Sequence, residues 1–138
     1  ANLEAIVVRV DFTKRSIDFE YVRALDLECK AILVHSSWDK HWRTDQYFEN
    51  HPFLTRRAAQ YLADARVKLV GIDSLNIDDT ADGARPVHTI LLGLNIPIAE
   101  HLCNLGNVPD NGSRFSAVPV KVKGMGSFPV RAFAKVDL

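Results

Sequence analysis

Three short apolar runs, rich in β-branched residues, limit most strongly what this chain can fold into. They occupy residues 5–10, 30–35 and 67–73. Apolar runs of this length without polar alternation predict strands that are buried on both faces. Thr55 predicts the start of a helix between the second and third runs, because its hydroxyl can cap the first free amides. The apolar stripe of that helix consists of Ala58, Leu62 and Ala65. The alternation of strands and helix predicts an α/β or mixed α+β domain.

The rest of the chain predicts short elements and loops around these strands. The spacing of Ile17, Tyr21 and Leu25 predicts a short helix over residues 17–25. Residues 36–52 are polar and aromatic, and they predict a long loop. Farther along, the sequence predicts a loop over 74–86, a helix over 87–94, an extended segment over 98–102 and a hairpin with strands 115–122 and 130–136.

Composition excludes several classes of protein. The 138 residues carry 17 basic and 17 acidic side chains and are 47% hydrophobic, as is typical of one soluble globular domain. A neutral chain lacks the basic excess of a nucleic-acid binder. The sequence has no apolar run near the ~20 residues of a membrane span, and its first residues do not resemble a signal peptide. Cys29 and Cys103 lie in apolar contexts and predict buried thiols in a reducing, cytoplasmic compartment, with a disulfide left open.

Five histidines are candidate site residues, yet none belongs to a strong local motif such as HExxH. His35 lies at a predicted strand end beside Ser36 and Ser37, which leaves open a serine–histidine pair or a purely structural histidine. His41 and His51 lie in the aromatic loop, where they either line a pocket or make ordinary loop hydrogen bonds.

His88 and Glu100 form the most informative pair. They are twelve residues apart, and each is a titratable group inside an apolar run. Burying an imidazole or a carboxylate is costly unless it gains a partner or a cation. The spacing alone leaves two interpretations open, a metal site or a buried histidine–carboxylate pair. His101 follows Glu100 directly, and on an extended segment the two side chains diverge.

From residue 38 onward, consecutive blocks of the sequence resemble the cyclase family of metal-dependent hydrolases, which includes bacterial kynurenine formamidase and isatin hydrolase. The blocks follow the order of the family: WDKHW at 38–42, YFENHP at 47–52, VKLVGID at 67–73, HTILLG at 88–93, IPIAE at 96–100, NL at 104–105, then residues 114–119 and 129–132. Several blocks in the order of the family are far more specific evidence of membership than any single block.

The resemblance implies a fold, a cofactor and a substrate. The fold is the swivelling β/β/α type, and family members commonly assemble as dimers or tetramers. His88 and Glu100 match family positions that bind a divalent metal, and their side chains suit zinc or manganese. Trp38 and Phe48 match the loop that lines the substrate pocket, so the expected substrate is a small aromatic or cyclic amide.

The sequence also departs from the family pattern. The family's HxGTHxDxPxH motif, which supplies most metal ligands and the catalytic histidine, is absent from this sequence. We therefore expect residues 1–138 to form one cyclase-like domain, the C-terminal portion of the family fold. Its active site is expected to be incomplete without the N-terminal segment, and to hold a metal only when that segment completes it. Ser37 stands where the family favours glycine.

Two alternatives stay open at this stage. A shortened and catalytically inactive relative, retained as a binding or assembly subunit, would also lack the motif. An unrelated α/β binding module would make the block matches coincidental.

Overall fold

The computed structural model describes residues 1–11 and 13–137, which form a mixed α/β fold. The strands are β1 (Leu3–Arg9), β2 (Ser16–Ile17), β3 (Ala31–His35), β4 (Phe53–Leu54), β5 (Leu69–Ile72), β6 (Ile98–Ala99), β7 (Ser113–Val118) and β8 (Arg131–Val136). The helices are α1 (Arg56–Asp64) and α2 (Pro86–Gly93). Neither helix has the length and apolar character that crossing a membrane requires, and the described residues contain no other α-helix.

Six strands form the main sheet in the order β6-β5-β3-β1-β7-β8. The first four are parallel, and β7 and β8 pair antiparallel as the C-terminal hairpin. β2 and β4 form a separate two-stranded parallel sheet. The three apolar runs thus become β1, β3 and β5, and they are neighbours in space. Because they are parallel, the carboxyl ends of β3, β5 and β6 meet at one edge of the sheet.

Both faces of the central strands are buried, which explains their unbroken apolar runs. Ile32 and Val34 of β3 point into a core that includes Leu62 of α1 and Leu91 of α2. Leu33 points the other way, into a second cluster of buried residues. This second cluster also contains Ala5, Val7, Ala31, Leu69, Ala99, Leu102, Leu105 and Phe115.

Gly71 of β5 is required by the packing of that second cluster. A methyl group added there would lie 2.7 Å from Leu102 Cδ1 and 2.9 Å from Leu33 Cδ2. Both leucines are buried, so neither can move away freely.

The helix predicted from Thr55 is confirmed. The Thr55 hydroxyl accepts a hydrogen bond from the amide of Ala58 at 3.1 Å, and Ala58 and Leu62 are buried. The predicted helix over residues 17–25 is wrong. Ile17 is buried by pairing with Leu54 in the small sheet, and only a short 3₁₀ turn, Phe19–Tyr21, follows.

The prediction of buried thiols is also wrong. Cys29 and Cys103 are both exposed and free. Cys29 has a positive φ of 63° in the turn before β3, so the backbone turn, and not its apolar neighbours, sets its exposure.

A buried carboxylate joins the ends of β3 and β5. Asp73 follows β5, and its carboxylate accepts hydrogen bonds from the backbone amides of Ser36 and Ser37, at 3.0 and 2.8 Å, and from the Ser36 hydroxyl. Burial raises the pKa of Asp73, while the hydrogen bonds from Ser36 lower it. The chain leaving β3 is therefore fastened to the end of β5.

Asp73→Ala is expected to lower the free energy of unfolding by about 2 kcal/mol, because the backbone amides of Ser36 and Ser37 then lose their acceptor in a buried place. Urea denaturation measures it, with Asp64→Ala on the exposed surface of α1 as the control. A raised pKa means that the fold favours the protonated carboxyl more than the unfolded chain does. Wild-type stability therefore loses a contribution as pH rises from 3.8 through that raised pKa. Asp73→Ala lacks this component, and equal urea midpoints for the variant and its control would contradict the role.

Candidate functional site

The structure brings His88 and Glu100 together. His88 lies in the first turn of α2, and Glu100 directly follows β6. The distance from His88 Nε2 to Glu100 Oε1 is 3.5 Å. Glu100 Oε1 also accepts a hydrogen bond from the backbone amide of Ile77 at 2.8 Å. The two residues that the sequence singles out therefore share one small site, on a helix start and a strand end.

Asp78, a buried carboxylate in the loop before α2, organises this site. Its Oδ1 accepts from the backbone amide of Val87 at 2.7 Å, and its Oδ2 accepts from that of His88 at 3.0 Å. These are free amides at the start of α2, and the residue in the capping position, Arg85, makes no side-chain cap. Asp78 thus caps the helix from a distance. Sequence reasoning missed it, because a loop aspartate has no local signal of burial.

The hydrogen bonds of His88 define its tautomer. Nδ1 lies 2.7 Å from Asp78 Oδ2, and Nε2 lies 3.0 Å from Nη2 of Arg85. A guanidinium can only donate, so Nε2 must accept and Nδ1 must carry the proton. Asp78 therefore holds a neutral imidazole whose lone pair is on Nε2, the nitrogen that faces Glu100.

This pair fits a divalent metal in its donor chemistry. An imidazole nitrogen and a carboxylate oxygen are ligands of zinc and manganese, and a carboxylate behind the histidine is typical of metal sites. Two side chains are fewer than the three protein ligands of a usual catalytic zinc site. Arg85 shares the Nε2 lone pair, so its guanidinium must move before His88 can bind an ion.

Residues 38–48, which we call the aromatic segment, border the same site. The Tyr47 hydroxyl lies 2.9 Å from Nδ1 of His101, the residue after Glu100. Trp42 packs edge-on against Tyr47 at 5.1 Å between ring centroids. Burial raises the pKa of Tyr47 far above its ordinary value, so its hydroxyl stays protonated. Residues 38–48 are thereby held beside the end of β6.

The two predicted substrate-contact residues lie on this segment but differ in setting. The Trp38 indole donates a hydrogen bond to the carbonyl of Tyr47 at 3.0 Å and is half-buried. Phe48 is 63% exposed and packs edge-on against Tyr47. Trp38 therefore holds the segment in shape, whereas the ring of Phe48 is open to solvent.

A second group of potential ligands lies at the ends of β3 and β5. His35, Asp39 and Asp73 each place a ligand atom within 4.8 Å of the others, close enough to hold a metal ion. Their ligand atoms already have partners. Asp39 accepts from the amide of Asn104, and both Asp73 oxygens accept from the backbone near Ser36.

Both ring nitrogens of His35 also have hydrogen-bond partners. Its Nδ1 lies 2.8 Å from Nη1 of Arg9, and its Nε2 lies 3.2 Å from the Ser37 hydroxyl. Because Arg9 donates, Nδ1 accepts and the Nε2 proton points at Ser37. In this state His35 cannot take a proton from Ser37, so the serine–histidine interpretation has no support. Ser37 has a φ of 61°, which explains why glycine suits this position.

The remaining loop histidines have local partners. His51 is buried, with Nδ1 2.9 Å from the carbonyl of Pro52 and Nε2 3.4 Å from the Thr80 hydroxyl. The ring of His41 packs edge-on against Trp38 at 4.6 Å.

Comparison with known proteins identifies relatives for most of the chain. Residues 4–79 match the family model of putative cyclases. An uncharacterized protein of Methanocaldococcus jannaschii is 32% identical over 110 residues, which is 77% of this chain and 54% of that protein. The kynurenine formamidase of Salinibacter ruber is 41% identical over 71 residues, 51% of this chain and 33% of the enzyme.

Solved structures match nearly the whole chain. Isatin hydrolase A from Ralstonia solanacearum superposes with a TM-score of 0.87 at 23% identity, over 98% of this chain and 60% of that one. A potential metal-dependent hydrolase with cyclase activity gives 0.81 at 25% identity, over 95% and 63%.

The chain spans about half the length of the Methanocaldococcus jannaschii protein and about three-fifths of these structures. The predicted cyclase-like fold, a mixed sheet with a C-terminal hairpin, is confirmed by the superposition. The chain belongs to the cyclase family.

Proposed function

We propose that this protein is a metal-dependent hydrolase that cleaves an amide bond of an aromatic or cyclic compound. The observation that carries the proposal is the orientation of His88: its Nδ1–H donates a hydrogen bond to Asp78, which leaves Nε2 facing Glu100. Two relatives, the kynurenine formamidase of Salinibacter ruber and a potential metal-dependent hydrolase with cyclase activity, support the same chemistry.

Each residue of the site has a defined task in this proposal. His88 Nε2 and the Glu100 carboxylate are ligands for zinc or manganese. Asp78 keeps the proton on Nδ1, and the amide of Ile77 orients Glu100. When bound, a divalent ion supplies acidified water and polarisation of an amide carbonyl. The further ligands and the catalytic histidine would come from the family's HxGTHxDxPxH segment, which these 138 residues do not contain.

The aromatic segment would bind the substrate ring. Phe48 and Trp42 are exposed beside the strand end that carries Glu100, and Trp38 keeps the segment folded. Aromatic faces arranged around a few polar groups are typical of pockets for small ring compounds.

The metal ligands are tested by titrating Mn²⁺ or Zn²⁺ in a calorimeter. His88→Ala and Glu100→Gln are each expected to weaken binding by at least about tenfold, because each removes one ligand. His41→Ala, which changes a histidine outside the pair, is the control. The titration is run on the 138-residue chain and on the full-length protein that its gene encodes. If the full-length protein binds no divalent ion, the hydrolase proposal fails.

Asp78→Asn is expected to weaken metal binding by about 10- to 100-fold, as loss of a carboxylate behind a ligating histidine typically does. Asp79→Asn, the adjacent carboxylate, is the control. Nitrogen NMR of the His88 ring separates positioning from stability, because only a positioning residue fixes the proton on Nδ1. A tautomer ratio unchanged by Asp78→Asn would contradict this role.

Phe48→Ala is expected to weaken binding of a simple aryl amide, such as formanilide, by about 2- to 10-fold, since one aromatic contact contributes about 0.5–1.5 kcal/mol. Fluorescence of Trp38 and Trp42, the two tryptophans of the chain, reports binding. Leu25→Ala, an exposed residue outside the aromatic segment, is the matched control. Equal dissociation constants for the two variants would remove Phe48 from the pocket.

One observation favours the second candidate function, an inactive relative that serves as a binding or assembly subunit. Arg85 already satisfies the Nε2 lone pair of His88, so a guanidinium stands where a cation is needed. Arg85→Ala distinguishes the two functions. A hydrolase binds Mn²⁺ more tightly once this competitor is removed, whereas an inactive subunit binds none with or without Arg85.

A further inference from the structure

Arg85 directs its guanidinium at the candidate metal site and not at a carboxylate. Its Nη2 donates a hydrogen bond to Nε2 of His88 at 3.0 Å. Four other arginines form ion pairs: Arg9 with Asp110, Arg15 with Asp79, Arg57 with Asp18 and Arg66 with Glu28. Arg85 follows the acidic loop that contains Asp78, Asp79 and Asp82, yet it forms no ion pair with any described residue. Its partner is an uncharged ring.

The backbone holds Arg85 in place. Its φ is 45°, in the left-handed region, and Pro86 follows, which disfavours the right-handed helical conformation at the residue before it. The amide of Arg85 donates to the carbonyl of Asp82 at 3.2 Å, and its carbonyl accepts from the amide of Thr89 at 3.0 Å. Because the main chain is held on both sides, the guanidinium changes partner by rotation of its own side chain.

Most donors of this guanidinium are open to a ligand. An arginine side chain carries five N–H groups in a planar fork. Among the described residues, the only acceptor of Arg85 is Nε2 of His88. The residue is exposed, so the remaining N–H groups face solvent beside the site.

Metal binding at His88 would change what Arg85 can bind. This step rests on the proposed function, in which Nε2 of His88 is a ligand. With Nε2 occupied by an ion, the guanidinium loses its acceptor and faces a second positive charge. The His88 side chain is only 16% exposed, and repulsion between like charges is stronger where water is partly excluded. An anion that contacts both charges removes this repulsion.

We propose that Arg85 binds a carboxylate at this site, the group that hydrolysis of an amide produces. Water adds across the C–N bond: the carbonyl carbon gains the hydroxyl, the amine nitrogen gains a hydrogen, and the acid then loses its proton at neutral pH. The two prongs of a guanidinium match the two oxygens of a carboxylate. Arg85 thus has two alternative partners, the lone pair of His88 and the carboxylate of the product.

Calorimetric titration of the full-length, Mn²⁺-loaded protein with benzoate tests this role. Arg85→Ala is expected to weaken benzoate binding by at least about tenfold, because it removes charge-assisted hydrogen bonds. The same variant is expected to bind Mn²⁺ more tightly, since a competitor for His88 is gone. A merely structural residue would not shift the two affinities in opposite directions.

Two further variants and a second ligand control the experiment. Arg85→Lys keeps the charge without the fork and is expected to lose less benzoate affinity than Arg85→Ala. Arg56→Ala removes a positive charge from the exposed start of α1 and is the matched control. Acetophenone, an uncharged analogue of benzoate, is expected to bind wild type and Arg85→Ala equally. Circular dichroism verifies that the variants are folded.

The outcomes separate this role of Arg85 from the proposed function. Mn²⁺ binding with equal benzoate affinities for Arg85→Ala and Arg56→Ala overturns the role of Arg85 alone. So does an equal loss of acetophenone binding in Arg85→Ala, which indicates a damaged pocket and not a lost charge. A full-length protein that binds no divalent ion overturns both.

Discussion

The buried carboxylate of Asp73 is the interaction on which the arrangement of the candidate site depends. Because it accepts hydrogen bonds from the backbone amides of Ser36 and Ser37, it fixes the direction in which the chain leaves β3. The aromatic segment begins there, and its Tyr47 reaches His101 beside the end of β6. Because β3, β5 and β6 are parallel, one carboxylate at this edge aligns a loop from the first half of the chain with Glu100 from the second.

Asp78 makes the same kind of contact on the other side of the site. A buried acidic side chain accepts backbone amides, which satisfies groups that a short loop and a helix start leave free. At Asp78 the second oxygen also fixes the tautomer of His88. Asp73 therefore orders the loop after β3, whereas Asp78 both caps α2 and holds the ring of His88.

The sequence was sufficient where local chemistry decides the structure. Unbroken apolar runs predict β1, β3 and β5, and Thr55 predicts its helix, because burial on both faces and capping leave local patterns. It failed at Ile17 and at the cysteines, where pairing with Leu54 and a backbone turn outweigh the neighbours' character. The sequence singles out His88 and Glu100 but leaves open whether they bind a metal or each other. It does not predict the contacts of Asp78 and Arg85, because these residues lie in a loop whose course depends on contacts distant in sequence.

The double use of Asp78 links the imidazole to the backbone of α2. The amides of Val87 and His88 donate their hydrogen bonds to the same carboxylate that holds the ring. Thermodynamic linkage then makes the relation reciprocal: whatever locks the His88 ring also slows hydrogen exchange in the first turn of α2, and fraying of that turn releases the ring. The exchange rates of two backbone amides thus report on the side chain that the site depends on.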